Sequence, residues 1–203
     1  MTKKSFTIVQ DSAVLLPTDN IDTDQIIPAR FLKRTSREGF GAFLFADWRT
    51  NAQGDPQTDF PLNNMQEGTE ILVAGKNFGC GSSREHAAWA IADFGFKVVV
   101  AASFADIFRN NALNNGIVPV EVDEAFLADV FRHLQSSEQT VLRVDLPAQT
   151  IGLYVRGEKL AERSFPINAY KKECLIRAYD DIDYLLQIKP EIEQYEIKST
   201  QNA

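Results

Sequence analysis

Cysteine and histidine are scarce in this chain, which has two of each among 203 residues. Cys80 and Cys174 lie far apart in the sequence and form no CxxC pair, which argues against a disulfide scaffold and against a zinc site. An iron–sulfur cluster held by one chain generally takes four cysteine thiolates. We therefore predict no metal site built by this chain alone.

Long apolar runs and clusters of basic residues are also missing. The longest apolar stretches, such as residues 98–102, are far shorter than the ~20 residues that a membrane-spanning helix requires. Acidic residues outnumber basic ones by 28 to 21, and this excess disfavours binding to phosphate backbones. Residues 1–7 lack the apolar segment of a secretory signal. We therefore expect a cytoplasmic protein with no membrane or nucleic-acid partner.

Hydrophobic residues make up 44% of the chain, enough for a sizeable core, and we expect a single domain over residues 1–203. Helical spacing of small and apolar residues predicts a helix over 82–94, ended by Gly95, and a second helix over 103–111. Apolar, β-branched segments predict strands at residues 6–9, 70–74, 97–101 and 117–122. This order predicts an α/β fold containing a βαβαβ unit with parallel strands.

The second half of the chain predicts helices and an antiparallel strand pair. Asn168 is a helix N-cap candidate, and Pro190 marks a break between helical segments. The predicted elements are a helix at 124–135, strands at 140–146, 150–156 and 159–165, and helices at 168–177 and 180–188.

The least regular stretch is residues 33–67, which combines turn residues with the aromatic side chains of Phe40, Phe43, Phe45 and Trp48. A long loop of this kind in a compact domain is typical of a lid or a binding loop. We expect it to face the active site or a partner, with exposed aromatic side chains and partial disorder until the partner docks.

The most informative segment is the glycine-rich run at residues 75–86, which joins a predicted strand to a predicted helix. Free backbone N–H groups and the positive end of a helix dipole favour an anion there. Ser82, Ser83 and Arg84 lie in this turn, and an arginine can bind a carboxylate with two parallel hydrogen bonds. Ser82 and Glu85 also have the spacing of a capping box, so a purely structural role stays open.

Other interpretations of this loop fit the sequence less well. The order of residues matches neither a Walker A loop nor a dinucleotide-binding fingerprint, because Ser82 follows Gly81 and Arg84 replaces the third glycine. A serine hydrolase elbow also fails to match, with His86 and His133 as the only candidate bases. Cys80 is a possible nucleophile, although a small residue in a tight turn is the simpler interpretation.

A second cluster brings three acidic residues into residues 19–24. A calcium loop would use such carboxylates, but the central glycine and terminal glutamate of an EF-hand are absent. An acidic, turn-rich surface loop is the structural alternative.

Together these segments resemble the small subunits of the 3-isopropylmalate dehydratases, which are swivel domains of the aconitase family. The likeness covers nearly the whole chain and is strongest over residues 17–122. The residues that carry it are Asp22-Thr23-Asp24-Gln25-Ile26-Ile27-Pro28, Asn77-Phe78-Gly79-Cys80-Gly81-Ser82-Ser83-Arg84-Glu85-His86, Ser103-Phe104-Ala105-Asp106-Ile107-Phe108-Arg109-Asn110-Asn111-Ala112 and Gly116-Ile117-Val118-Pro119.

The resemblance implies a swivelling domain of β/β/α architecture that closes over a larger partner subunit. That partner would carry a [4Fe–4S] cluster, and this chain would bind no cofactor. The implied reaction isomerises 2-isopropylmalate to 3-isopropylmalate through 2-isopropylmaleate, in leucine biosynthesis. The chain would be active only in complex with the large subunit, as a heterodimer or a larger assembly.

The resemblance also assigns roles to residues. Ser82 would be the catalytic base, as an alkoxide, while Ser83 and Arg84 would bind a carboxylate of the dicarboxylate substrate. Asp24 falls on an aspartate near the active site of the family, and Arg34 lies near a position where aconitase places another substrate-binding arginine, so both would bind substrate. Two apolar residues of the same stretch, Phe31 and Leu32, are candidates to contact the isopropyl group.

Three kinds of protein remain open at this point. The first is a hydro-lyase small subunit, whose substrate could also be homoaconitate, citraconate or dimethylmalate, because related subunits share the residues at 82–84. The second is a non-catalytic anion-binding module in which the serines only cap a helix. The third is a serine or cysteine hydrolase.

Overall fold

The structure of this chain is a computed structural model, and it describes residues 5–33, 38–136 and 139–201. In these ranges none of the helices is long and apolar enough to cross a membrane. The strands are β1 Ile8–Asp11, β2 Ala13–Leu16, β3 Ile71–Ala74, β4 Val98–Ala101, β5 Val118–Glu121, β6 Thr140–Asp145, β7 Thr150–Val155 and β8 Glu158–Ser164. The helices are α1 Thr23–Ile26, α2 Ala46–Arg49, α3 Glu85–Phe94, α4 Asp106–Asn114, α5 Glu124–Ser136, α6 Ala169–Arg177, α7 Asp181–Gln187 and α8 Lys189–Gln201.

The central element is a parallel sheet in the order β2-β3-β4-β5, in which α3 and α4 connect successive strands. The predicted βαβαβ unit is therefore confirmed. Helix α3 ends where the sequence indicated, because Gly95 takes the left-handed conformation with φ 118° and closes the last turn. The helix begins later than predicted, at Glu85, and this shift matters for the site described below.

A second, antiparallel sheet has the order β1-β6-β7-β8. The predicted strand pair is confirmed as β6 and β7, and β8 follows a turn at Gly157, where φ is 83°. The strand predicted at residues 6–9 lies two residues later and pairs with β6 rather than with the parallel strands. Strand β2, which forms one edge of the parallel sheet, was not predicted at all.

The two sheets and the helices form three layers. Alternate side chains of a strand point to opposite faces, so Val98 and Val100 pack against the antiparallel sheet. Val99 and Ala101 of the same strand pack against the layer that contains α3. The β/β/α architecture implied by the family resemblance is therefore confirmed.

The stretch from Glu38 to Glu67 is packed more tightly than the sequence suggested. Phe40, Leu44 and Phe45 are fully buried in the same core as α3. The Gly41 amide donates to the Asp93 carboxylate at 2.8 Å, and an added Cβ at Gly41 would meet the backbone of Phe94 at 2.8 Å. The expectation of exposed aromatic side chains was wrong for this part of the chain, because Phe40 and Phe45 are buried in the core against α3.

The C-terminal part confirms two predictions. The side chain of Asn168 accepts a hydrogen bond from the Lys171 amide at 3.2 Å and caps α6 as predicted. The break predicted at Pro190 is also present, since α7 ends at Gln187 and α8 begins at Lys189. Pro190 occupies the first turn of α8, where the missing proline N–H would have no partner inside the helix in any case.

Candidate active site

The candidate site lies at the carboxyl ends of β3 and β4, where ligands of parallel α/β sheets are commonly bound. Two loops leave these strands side by side, and they are hydrogen-bonded to each other. The Phe78 amide donates to the Ser103 carbonyl at 3.0 Å, and the Ala105 amide donates to the Phe78 carbonyl at 3.0 Å. These two backbone hydrogen bonds hold the loops together at one side of the site.

Close packing fixes the shape of the glycine-rich loop. Gly79 has φ 75°, and a Cβ there would lie 2.2 Å from the ring of Phe108 on α4. Phe108 in turn contacts Phe78, with ring centroids 5.1 Å apart. Glycine is required at position 79 for both reasons, because its backbone is left-handed and the aromatic ring occupies the space of a side chain.

Ser82 and Ser83 stand at the start of α3, but neither of them caps it. The N-cap residue is Arg84, and no side chain in the described ranges accepts a hydrogen bond from the first turn of this helix. The predicted capping box is therefore wrong, because Glu85 accepts instead from the indole of Trp89 at 3.1 Å and from the side-chain amide of Asn115 at 3.3 Å. Both serines are exposed, and their hydroxyls bond to no other described residue.

The backbone of Ser82 is held by Thr23, a residue to which the sequence analysis gave no role. The hydroxyl of Thr23 donates to the Ser82 carbonyl at 2.8 Å, and Thr23 itself is buried. The Thr23 amide also donates to the Cys80 carbonyl at 2.9 Å. Position 23 therefore fixes the backbone on both sides of Gly81 without using the Ser82 hydroxyl.

Arg84 and Asp24 form an ion pair across the site. The Arg84 side chain is only 17% exposed, whereas Asp24 is 50% exposed. Asp24 accepts from Nη1 of the guanidinium, which has five N–H donors in total. The structure thus brings Asp24, Ser82, Ser83 and Arg84 together, with Asp24 paired to the Arg84 guanidinium.

The other acidic residues of the segment 19–24 are used in local structure. Asp22 caps α1 by accepting from the Gln25 amide at 2.8 Å. Asp19 accepts from the Lys76 amide at 2.9 Å and pairs with the Lys76 ammonium at 3.7 Å. No group of three His, Cys, Asp or Glu side chains within the described ranges could hold a metal ion. The arrangement favours the structural alternative over a calcium loop.

Cys80 is held as a protonated thiol. Its Sγ donates to the Asn20 carbonyl at 3.4 Å. Burial raises the pKa of this thiol, and the neighbouring Asp22 carboxylate raises it further. A raised pKa reduces the thiolate fraction near neutral pH, which argues against a nucleophilic role.

The two candidate bases of a hydrolase do not support that chemistry. The ring of His86 packs between Trp89 and Phe40, with centroids 4.5 and 5.5 Å away. His133 lies on α5, on the other side of the parallel sheet. Neither histidine is hydrogen-bonded to Ser82 in the structure as described.

A cavity of about 280 Å³ opens beside Ser82, Ser83 and Arg84. Thr23 and the backbone of Gly79 and Gly81 complete its polar side. The cavity is also lined by Ala105, Asp106, Ile107 and Phe108, which the sequence placed only within a motif. A cavity of this size, lined by the Arg84 cation, the two serine hydroxyls, the Asp106 carboxylate and three apolar side chains, can bind a small carboxylic acid that carries an apolar group.

The residues predicted to contact the isopropyl group lie elsewhere. Phe31 stacks on Phe43 with ring centroids 4.1 Å apart, and Leu32 packs at the edge of the core. Neither residue lines the cavity at Ser82. Arg34 lies outside the described residues.

Known proteins match this chain over nearly its full length. The family profile described as the aconitase C-terminal domain matches residues 3–125. The 3-isopropylmalate dehydratase small subunit of Cytophaga hutchinsonii is 58% identical, over 95% of this chain and 94% of its own. The protein of the same name from Christiangramia forsetii is 51% identical, over 96% of this chain and 94% of its own. The crystal structure of 3-isopropylmalate dehydratase from Methanocaldococcus jannaschii gives a TM-score of 0.64 at 27% identity, covering 93% of this chain and 99% of that one.

Proposed function

Since this chain belongs to the 3-isopropylmalate dehydratase small subunits, within the aconitase C-terminal domain family, we propose that it is the swivel subunit of a hydro-lyase of leucine biosynthesis. Such an enzyme converts 2-isopropylmalate to 3-isopropylmalate by removing water and adding it back, through 2-isopropylmaleate. The family membership confirms the resemblance drawn from the motifs, and it favours this function over the hydrolase and the non-catalytic module.

One observation supports a catalytic role for this chain. Ser82, Ser83 and Arg84 meet at the start of a helix whose first turn has no side-chain cap. The backbone N–H groups and the dipole of that turn are therefore available to a ligand of negative charge. A cap would have occupied the Ser82 hydroxyl, and the structure leaves it on the wall of the cavity.

We propose that Arg84 and Ser83 bind one carboxylate of the substrate. Asp24 uses only Nη1 of the guanidinium, so the remaining N–H groups can hold a carboxylate with two bonds. Arginine suits this task because its donors lie in one plane and match the two carboxylate oxygens. Asp24 orients the guanidinium and limits its freedom, which lowers the entropic cost of substrate binding.

We propose that Ser82 is the base of the elimination. Its Oγ takes the proton from the carbon next to the hydroxyl-bearing carbon, the C–H electron pair forms the double bond, and hydroxide leaves. Addition of water in the opposite sense returns that proton and gives the isomer. A serine hydroxyl ionises only where positive charge stabilises the alkoxide, and Arg84 with the uncapped amides of α3 supplies such charge here.

The departing hydroxide needs a Lewis acid, which a bound iron–sulfur cluster supplies in this class of enzyme. The residues of this chain do not fit such a cluster. The chain has two cysteines, and the thiol of one of them, Cys80, donates to the Asn20 carbonyl. We propose that the large partner subunit carries the cluster and that this chain works in a cytoplasmic complex with it. The single domain over residues 1–203 and a partner-facing role for 33–67 remain predictions.

Reconstitution tests the proposed function. The purified chain, the large subunit with its cluster, and a mixture of the two are each supplied with 2-isopropylmaleate, and its ultraviolet absorbance is followed. We expect the absorbance to fall only in the mixture, with both isopropylmalates as products. Turnover by this chain alone, or no turnover by the mixture, would contradict the proposal.

A further inference from the structure

Ile107 is a large apolar side chain on the wall of the catalytic cavity, and it is 53% exposed. It lies in the first turn of α4 and lines the same cavity as the serines at the start of α3. Neither the family resemblance nor the proposed roles of Ser82 and Arg84 gives this residue a task. An exposed isoleucine on an open surface would need no explanation, but this one shares a cavity with the proposed base.

The position of Ile107 is fixed by its neighbours. Phe104 and Phe108 on either side of it are buried, and both contact Phe78 of the glycine-rich loop, at 6.2 and 5.1 Å between ring centroids. These contacts fix the backbone at the start of α4 relative to the glycine-rich loop, and with it the place of Ile107 in the cavity. A contact whose place is set before the ligand arrives is more selective than one on a mobile segment.

The charges of the cavity distinguish one kind of substituent from another. Among the described residues that line it, Arg84 is the only cation, and it is already partnered by Asp24. On the wall with Ile107, the exposed carboxylate of Asp106 has no ion-pair partner in the described part of the chain. A third carboxylate on the substrate would therefore meet a negative charge, whereas an apolar branch would meet Ile107, Ala105 and Phe108.

We propose that Ile107 contacts the isopropyl branch of the substrate and selects for it over smaller branches. This inference rests on the proposed function, because it assigns the branch of that substrate to one wall of the same cavity. It adds a contact to any that Phe31 and Leu32 provide from their own position.

The test compares two substrates in the complete two-subunit enzyme. Hydration of 2-isopropylmaleate and of 2-methylmaleate is measured for the parent, for Ile107→Ala and for Ile8→Ala. Ile8 is the matched control, since it is 46% exposed but lies on β1 in the antiparallel sheet. We expect Ile107→Ala to lower kcat/KM for the isopropyl compound by about 10- to 100-fold and for the methyl compound by less than about 3-fold, the range typical of lost apolar contacts. Ile8→Ala should change neither value by more than about 2-fold.

Two results would overturn the inference, and they differ from a failure of the proposed function. An equal loss for both substrates, accompanied by weaker binding of the large subunit, would make Ile107 an interface residue. An unchanged ratio of the two kcat/KM values with intact assembly would show that the wall does not touch the branch. If the parent complex fails to hydrate 2-isopropylmaleate at all, the proposed function itself falls, and the inference falls with it.

Discussion

The first turns of α3 and α7 solve the same problem in opposite ways. At α7, the Asp180 side chain accepts from the amides of Ile182 and Asp183 at 2.8 Å, and the Asp180 amide donates to the Asp183 carboxylate at 3.0 Å. At α3, none of the described side chains accepts from the amides of the first turn, although Ser82 has the sequence spacing to do so. The start of α7 thus satisfies its own amides, whereas the start of α3, which lies at the cavity, leaves them for a ligand.

Replacing Ser82 by alanine should give the largest effect. If the hydroxyl is the base and not a cap, Ser82→Ala lowers kcat of the complex by roughly 10³-fold or more, while the free energy of unfolding changes by less than about 0.5 kcal/mol. Steady-state rates and urea denaturation of the same protein check both values. A rate within a few-fold of the parent would show that Ser82 is not catalytic.

The ion pair beside the uncapped turn should give an intermediate effect. Asp24→Asn keeps an acceptor for Arg84 but removes the charge that orients it, so KM should rise about 10-fold with kcat within a few-fold of the parent. Asp47→Asn is the matched control, because Asp47 pairs with Arg30 on the surface, where both side chains are 54% exposed. A similar rise in KM for both variants would indicate a general charge effect.

At the capped first turn of α7, we expect a substitution to lower stability and to leave activity unchanged, the reverse of the result expected at Ser82. Asp180→Ala removes the acceptor for two amides and should lower the free energy of unfolding by about 0.5 to 2 kcal/mol, the usual cost of a lost N-cap. The turnover rate at saturating large subunit should stay unchanged. A lower rate under those conditions would mean that α7 acts on the site, and the contrast between the two helix starts would no longer hold.

The smallest effect is expected at Cys80, which precedes the two serines. The raised pKa of its thiol predicts slower alkylation by iodoacetamide at pH 8 than for a cysteine in an unfolded peptide, with the rate increasing as the pH rises further. Cys80→Ser retains a donor for the Asn20 carbonyl and should keep the turnover rate within about two-fold. Fast alkylation at neutral pH would show that the thiol is reactive after all.

Features that depend on nearby residues could be predicted from the sequence. The strand at 98–101 is β-branched and apolar, α3 ends before a glycine, and α6 is capped by Asn168, so each of these elements carries its signal within a few residues. The proximity of Ser82, Ser83 and Arg84 could also be predicted, because the three residues are consecutive in the chain.

Features set by distant residues could not be predicted from the sequence alone. The capping box at Ser82 failed because Glu85 bonds Trp89 and Asn115, and because Thr23 holds the Ser82 carbonyl. The Glu85–Trp89 pair has the i,i+4 spacing of a helix, but the contacts with Asn115 and Thr23 come from distant parts of the sequence. Similarly, the apolar side of the cavity depends on Phe78 contacting Phe108, a contact between the glycine-rich loop and α4 that only the folded sheet brings together.

The pairing of β1 with β6 determines the order in which the two sheets can form during synthesis. Register joins Ile8 to Asp145, whereas all four strands of the parallel sheet lie between Ala13 and Glu121. During synthesis from the N-terminus, the parallel sheet is therefore complete before the antiparallel sheet can close over it. Until residue 145 has emerged from the ribosome, the core cluster of Val98 and Val100 contains α5 but lacks the antiparallel sheet, and the nascent chain carries a partly uncovered apolar face of the kind that chaperones bind.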